Sequence, residues 1–215
     1  MPTLSNQTEL QLPFDGDWLC HWGGETKALN YHRAAENAPD QRFAFDFVKV
    51  DDFRNMYRGG QRTNEASLSY GKDILAPGAG VIVDAMGERR DNRPGILSQA
   101  RNVFGNYVIL GHSENEFSVL AHLRKGSLMV GIGETVVRGQ KLAECGNSGR
   151  SSDPRLHYHL QDSPELNWSL PPDTNKADRP QGIKVYFSNI LLDREDLIEP
   201  RKKHSPIKGD VVQQV

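Results

Sequence analysis

Twenty glycines and 12 prolines, scattered at turn positions through 215 residues, break this chain into short runs. Such punctuation suits many short strands better than a bundle of helices. The runs themselves read as strands. FAFDFVKV (43–50) is rich in aromatic and β-branched residues, and DILAPGAGVIVDAM (73–86), NYVILGH (106–112) and EFSVLAHL (116–123) follow the same taste. SENE, between the last two, has hairpin length. GIGETVVRGQKLAECG (131–146), RLHYHLQD (155–162) and IKVYFSN (183–189) complete the set, and helical periodicity is weak except for a short candidate at DREDLIE (193–199). The expected fold is all-β, a mostly antiparallel barrel or sandwich. Residues 1–40 read as an irregular N-terminal arm, 41–190 as the β domain, and 191–215, with KKHSPIKGD, as a solvated C-terminal tail. The four prolines of 163–182 mark a long surface loop.

Charge narrows the function. With 26 Lys+Arg against 28 Asp+Glu the net charge is −2, and a nucleic-acid binder, which needs a basic surplus, is not expected. No apolar run approaches the length of a membrane span. The first residues, MPTLSNQTELQLPFDGDW, lack a basic region followed by an apolar one, so the expected setting is cytoplasmic, or the cell envelope if the native start differs. Cys20 and Cys145 form neither a disulfide framework nor a zinc-finger spacing.

The chemistry lies among seven histidines. His157 and His159, one residue apart on a strand, point to the same face together with Arg155. Two imidazoles on one face are half of a metal site. NYVILGHSENEFSVLAHL followed by GETVVRGQKLAECGNSGRSSDPRLHYHLQD resembles the lysostaphin-type, LytM-like zinc metallopeptidases over residues 41 to 162. That family carries an H-x-x-x-D motif, an A-H-L strand end, a G-N-[ST]-G-x-[ST] turn and a P-H-L-H strand, in that order. DILAPGAGVIVDA also looks like its entry into the barrel.

The resemblance implies a barrel of the duplicated-hybrid-motif type, a bound Zn2+ and hydrolysis of peptides, bacterial cell-wall cross-bridges being the usual substrate. It places Asp46 and His157 on two zinc ligands, and His122 on the histidine that assists the activated water or the oxyanion. Two positions depart. Arg42 stands where the ligand histidine of H-x-x-x-D belongs, and Arg155 where the first, catalytic histidine of H-x-H belongs. A guanidinium has no lone pair to give a metal. A catalytic zinc takes three protein ligands plus water, so a third is needed.

His32 is the substitute expected: it lies ten residues before Arg42, within easy reach at about 3.3 Å per extended residue. Related sequences carry N-Y-H ahead of such a strand. His159, about 6.6 Å beyond His157 along the strand, could ligate, replace the missing catalytic imidazole or bond to a ligand from behind. Arg155 could stabilise an oxyanion but not act as a base.

Plainer readings stand beside these. Arg42 and Asp46 could form a surface ion pair, and His32 could be an exposed loop histidine. His122 could be a packed histidine, His112 a turn residue, and His21 and His204 solvated. CGNSGRSS reads first as a tight turn, with Cys145 a small buried hydrophobe. Three functions compete: a zinc metallopeptidase, a non-catalytic binding or regulatory module of the same fold, and a carrier domain. The last lacks a Met-Lys-Met or comparable modified lysine and the phosphocarrier histidine signature.

Overall fold

The structure is a computed structural model describing residues 5–34, 38–60, 62–98, 102–171, 173–195 and 197–215. Its strands are β1 (Trp18–Trp22), β2 (Phe45–Lys49), β3 (Asp73–Leu75), β4 (Gly80–Met86), β5 (Asn106–Ser113), β6 (Glu116–Leu123) and β7 (Thr135–Val136). They continue as β8 (Lys141–Glu144), β9 (Leu156–Gln161), β10 (Gly182–Ile183), β11 (Phe187–Arg194), β12 (Leu197–His204) and β13 (Val211–Gln214). Only 3-10 turns interrupt them among the described residues. The all-β, antiparallel expectation holds.

One large sheet runs β12-β11-β13-β1-β2-β9-β6-β5-β4-β7, with β10 on β9, and β3 and β8 form a separate pair. All paired strands are antiparallel. Alternation along the central strands sorts the side chains. Phe45 and Phe47 of β2 and Leu156, Tyr158 and Leu160 of β9 enter the main core with Phe14, Trp18 and Phe187. The intervening residues, Asp46 on β2 and His157, His159 and Gln161 on β9, are buried on the other side of the sheet. That opposite face also carries a smaller apolar cluster of Phe104, Tyr107, Ile109, Val119 and Ala121.

Three local expectations are corrected. DREDLIE is not helical: β11 runs to Arg194, Glu195 turns with φ 54, and β12 starts at Leu197. Hairpin pairing supplies the backbone partners that a helix would otherwise provide. Most of the described residues in 191–215 are sheet, not a solvated tail, and β13 fits between β11 and β1 and buries Val211 and Val212. The first 40 residues are not all irregular either, since β1 pairs with β2 and Leu10, Leu12 and Phe14 are fully buried. The loop 163–182 keeps its expected place, with 3-10 turns at Asn167–Ser169 and Lys176–Asp178. No helix among the described residues is long and apolar enough to cross a membrane.

Candidate metal centre

Strand register builds the site. Trp22 of β1, Asp46 of β2, His157 of β9 and Ala121 of β6 lie opposite one another across four neighbouring strands. His157 Nδ1 is 2.9 Å from Asp46 Oδ1. His32 arrives from outside the sheet, on the 3-10 turn Tyr31–Ala34, and sets its Nε2 3.3 Å from the same oxygen. The turn is anchored by Asn30, whose side chain donates to the Ala44 carbonyl and accepts from the His32 amide. One donor atom from each of His32, Asp46 and His157 thus falls within 4.8 Å of the others, and all three residues are buried. His32 is therefore not an exposed loop histidine.

This donor set fits zinc. The His32 Nε2 is buried with no hydrogen-bond partner, an arrangement that costs free energy unless something fills it. Ligands on tetrahedral zinc with arms of 2.0–2.1 Å stand about 3.3 Å apart, close to the 2.9 and 3.3 Å that separate the two imidazole nitrogens from Asp46 Oδ1. Charge fits as well. Burial opposes ionisation of Asp46, but the Arg155 guanidinium and the His32 imidazole hold its carboxyl well below the usual carboxylate range. Burial pushes His157 down to about 4, despite its bond to Asp46, so at neutral pH its ring keeps a lone pair to give.

His122 reaches the same side by a departure from alternation. On β6 a strict period of two would send His122 to the core side with Leu120. A bulge between Ala121 and Leu123, opposite Asn106 and Tyr107, carries His122 at φ 63 and brings its ring 5.8 Å from that of His157. Its Nδ1 lies 2.9 Å from the Ser148 carbonyl. A carbonyl only accepts, so Nδ1 carries the proton and Nε2 keeps a lone pair. Burial and the nearby Arg155 hold this imidazole well below its ordinary pKa.

The GNSG turn makes that bond possible. Ser148 Oγ donates to the Leu123 carbonyl and accepts from the Asn106 amide. Gly149, at φ 74, lies against the Gly105 backbone so closely that a Cβ would meet Gly105 N at 2.3 Å. The turn is thus a tight turn, as expected, and through the Ser148 carbonyl it also holds His122.

Arg155 sits beside the centre with Nε 3.1 Å from Asp46 Oδ2, while Nη1 donates to Ser151 Oγ. Arg42 does not pair with Asp46 but lies over the Phe43 ring. His159 is fully buried behind His157, bonded to it and to Gln161. His112 is tied to the Ala79 carbonyl and Ser118 within the β5–β6 hairpin, as a structural histidine should be. Two expectations of solvated histidines fail: His21 is half-buried on the cleft wall, and His204 bonds to Asp210. Cys145 is buried as expected.

A cleft of about 680 Å³ opens over the cluster, its walls including Trp22, Tyr31, Met56, Leu97 and Phe104. Tyr31 and Phe104 escape sequence reasoning. Tyr31 places its hydroxyl 3.5 Å from Asp46 Oδ2, and only its adjacency to His32 could have signalled it. Phe104 packs on His157 from a loop with no motif of its own.

Residues 64–168 match peptidase family M23. Just under half of the chain is thus similar to that family. Members are zinc-dependent, which agrees with the donor set. Peptidoglycan DD-endopeptidase ShyA of Vibrio cholerae is 38% identical over 68 residues, 31% of this chain and 15% of that protein. Murein hydrolase activator NlpD of Escherichia coli is 28% identical over 113 residues, 53% of this chain and 26% of its own. The chain therefore spans less than a third of either relative. Among solved structures, a zinc-containing peptidase from Vibrio cholerae aligns with 72% of this chain and 36% of its own, at 18% identity and a TM-score of 0.40.

Proposed function

We propose that this M23-like protein is a zinc metalloendopeptidase that hydrolyses peptide bonds, with the peptide cross-bridges of peptidoglycan as its substrate. The observation carrying this reading is the meeting of His32, Asp46 and His157 from three separate elements beneath an open cleft. His32 restores the ligand lost at Arg42. Bound zinc supplies a Lewis acid for the scissile carbonyl and a water that ionises near neutral pH. His122 takes up the proton of the attacking water at Nε2, since its Nδ1 proton is committed to Ser148. Arg155 keeps Asp46 charged and in place. The apolar cleft walls favour an extended peptide whose backbone spans the sheet surface. A substrate in the wall implies action in the cell envelope.

Zinc analysis of the purified protein, paired with digestion of purified peptidoglycan, tests the proposal. About one zinc per chain and new peptide termini are expected, with both lost in His157→Ala. A protein that stays metal-free after zinc addition overturns it. A second reading, a zinc-holding but non-hydrolytic regulatory module, is favoured by one observation: the catalytic histidine position holds Arg155, engaged with Asp46 and Ser151. Stoichiometric zinc with no new peptide termini selects that reading. NlpD, itself named as an activator, gives it a relative.

A further inference from the structure

We infer that His159 and Gln161 form a hydrogen-bond relay that fixes the proton of His157 on Nε2 and so aims its Nδ1 lone pair at the metal position. This deepens the zinc reading and rests on it. The direction of the relay follows from its far end. Gln161 Nε2 lies 2.7 Å from the Ser163 carbonyl and 2.7 Å from the Glu165 carbonyl, both of which only accept. The amide orientation is therefore set, and Gln161 turns its Oε1 towards His159 Nε2 at 2.9 Å. An amide oxygen cannot donate, so His159 Nε2 carries a proton. Asp40 Oδ2, buried and without a hydrogen-bond partner among the described residues, stands 4.0 Å from the same nitrogen and favours the proton there.

His159 Nδ1 is then the acceptor. It faces His157 Nε2 at 3.1 Å, so His157 donates from Nε2. Its remaining nitrogen, Nδ1, points at Asp46 Oδ1 across 2.9 Å. Asp46 Oδ1 only accepts, so a metal ion between the two satisfies both, and His32 Nε2 waits at the same place. Water does not interrupt the relay: His159 and Gln161 are fully buried, and the Phe104 ring covers both imidazoles at 5.6 and 5.5 Å. His159 thus acts through His157, as a positioning residue, and not at the reacting atoms. Outer partners of metal-bound histidines commonly set ring tautomer and ligand basicity.

Ring-nitrogen NMR on 15N-labelled, zinc-loaded protein at pH 8 tests the relay. The expected spectrum shows protons on Nε2 of both His157 and His159, and none on Nδ1 of His159. Removal of zinc is then expected to shift the His157 Nδ1 signal, as Asp46 takes the metal's place as its partner. Gln161→Leu, which touches no proposed ligand, is expected to mix the His159 and His157 tautomers. It should also weaken zinc roughly tenfold in chelator competition. A His157 Nε2 without a proton in the wild-type spectrum overturns the relay, whether or not Gln161→Leu folds. A folded Gln161→Leu with unchanged tautomers and zinc affinity overturns it as well. If the wild-type protein takes up no zinc, the zinc reading fails and the relay with it, whereas a zinc-loaded protein with an unprotonated His157 Nε2 overturns the relay alone.

Discussion

At the scale of single residues, the centre joins groups whose roles follow from which atom each bond uses. His122 is held by one backbone carbonyl and keeps its other nitrogen free. His122→Ala should lower hydrolysis about 10²- to 10⁴-fold, the usual worth of a general base. Zinc content should stay unchanged, since His122 is not in the donor group; peptide release and metal analysis on one preparation check both. Much of this was legible beforehand. Asp46, His157 and His122 are recognised from their motifs, and His32 from its reach. Gln161 was equally available to the period-two argument that paired His157 with His159, but an amide carries no signal until its partners are known.

Elements decide what motifs cannot. The β5–β6 hairpin follows from two strand-like runs and a short connector, because local pairing needs only local sequence. β1 and β13 were not legible, because their partners are remote: β13 pairs with β1 nearly two hundred residues upstream, and of the β11–β12 hairpin only the start, within IKVYFSN, was expected as strand. The turn into β13 is pinned by Asp210, which accepts from the Arg194 guanidinium at 2.7 and 2.9 Å and from the Ile207 amide at 3.0 Å. Burial works against the Asp210 carboxylate, but His204 and Arg194 hold its pKa below the ordinary value.

The sign is that of a depressed acid. Its contribution is complete above the unfolded value of about 3.9 and is lost as pH falls through the lower folded value. Asp210→Asn should therefore cost about 1–3 kcal/mol at neutral pH. Below about pH 4 the variant and wild-type stabilities should converge, as urea titrations across that range would show.

For the whole molecule, the proposed zinc site links metal to fold. The donors come from the Tyr31–Ala34 turn, β2 and β9, which meet only in the folded chain. An ion that binds only the folded state stabilises it by about 2.7 kcal/mol at one hundred times its dissociation constant. Zinc at that excess should raise the melting temperature by roughly 5–10 °C for a chain of this size. Scanning calorimetry with and without zinc checks it, and His32→Ala should abolish most of the rise.

By itself, the sequence determined the kind of sheet, through its short β-rich runs and turn residues, and the kind of centre, through side chains with lone pairs on one strand face. Those are local properties, set by the chemistry of each residue and the two-residue period of a strand. Tertiary structure alone decided three things: that the His32 turn lands on Asp46, that the bulge at His122 turns its ring towards His157, and that Arg155 turns inward to the carboxylate. Each depends on strand register and packing between distant segments. A one-residue slip there would send the same side chains to the opposite face of the sheet.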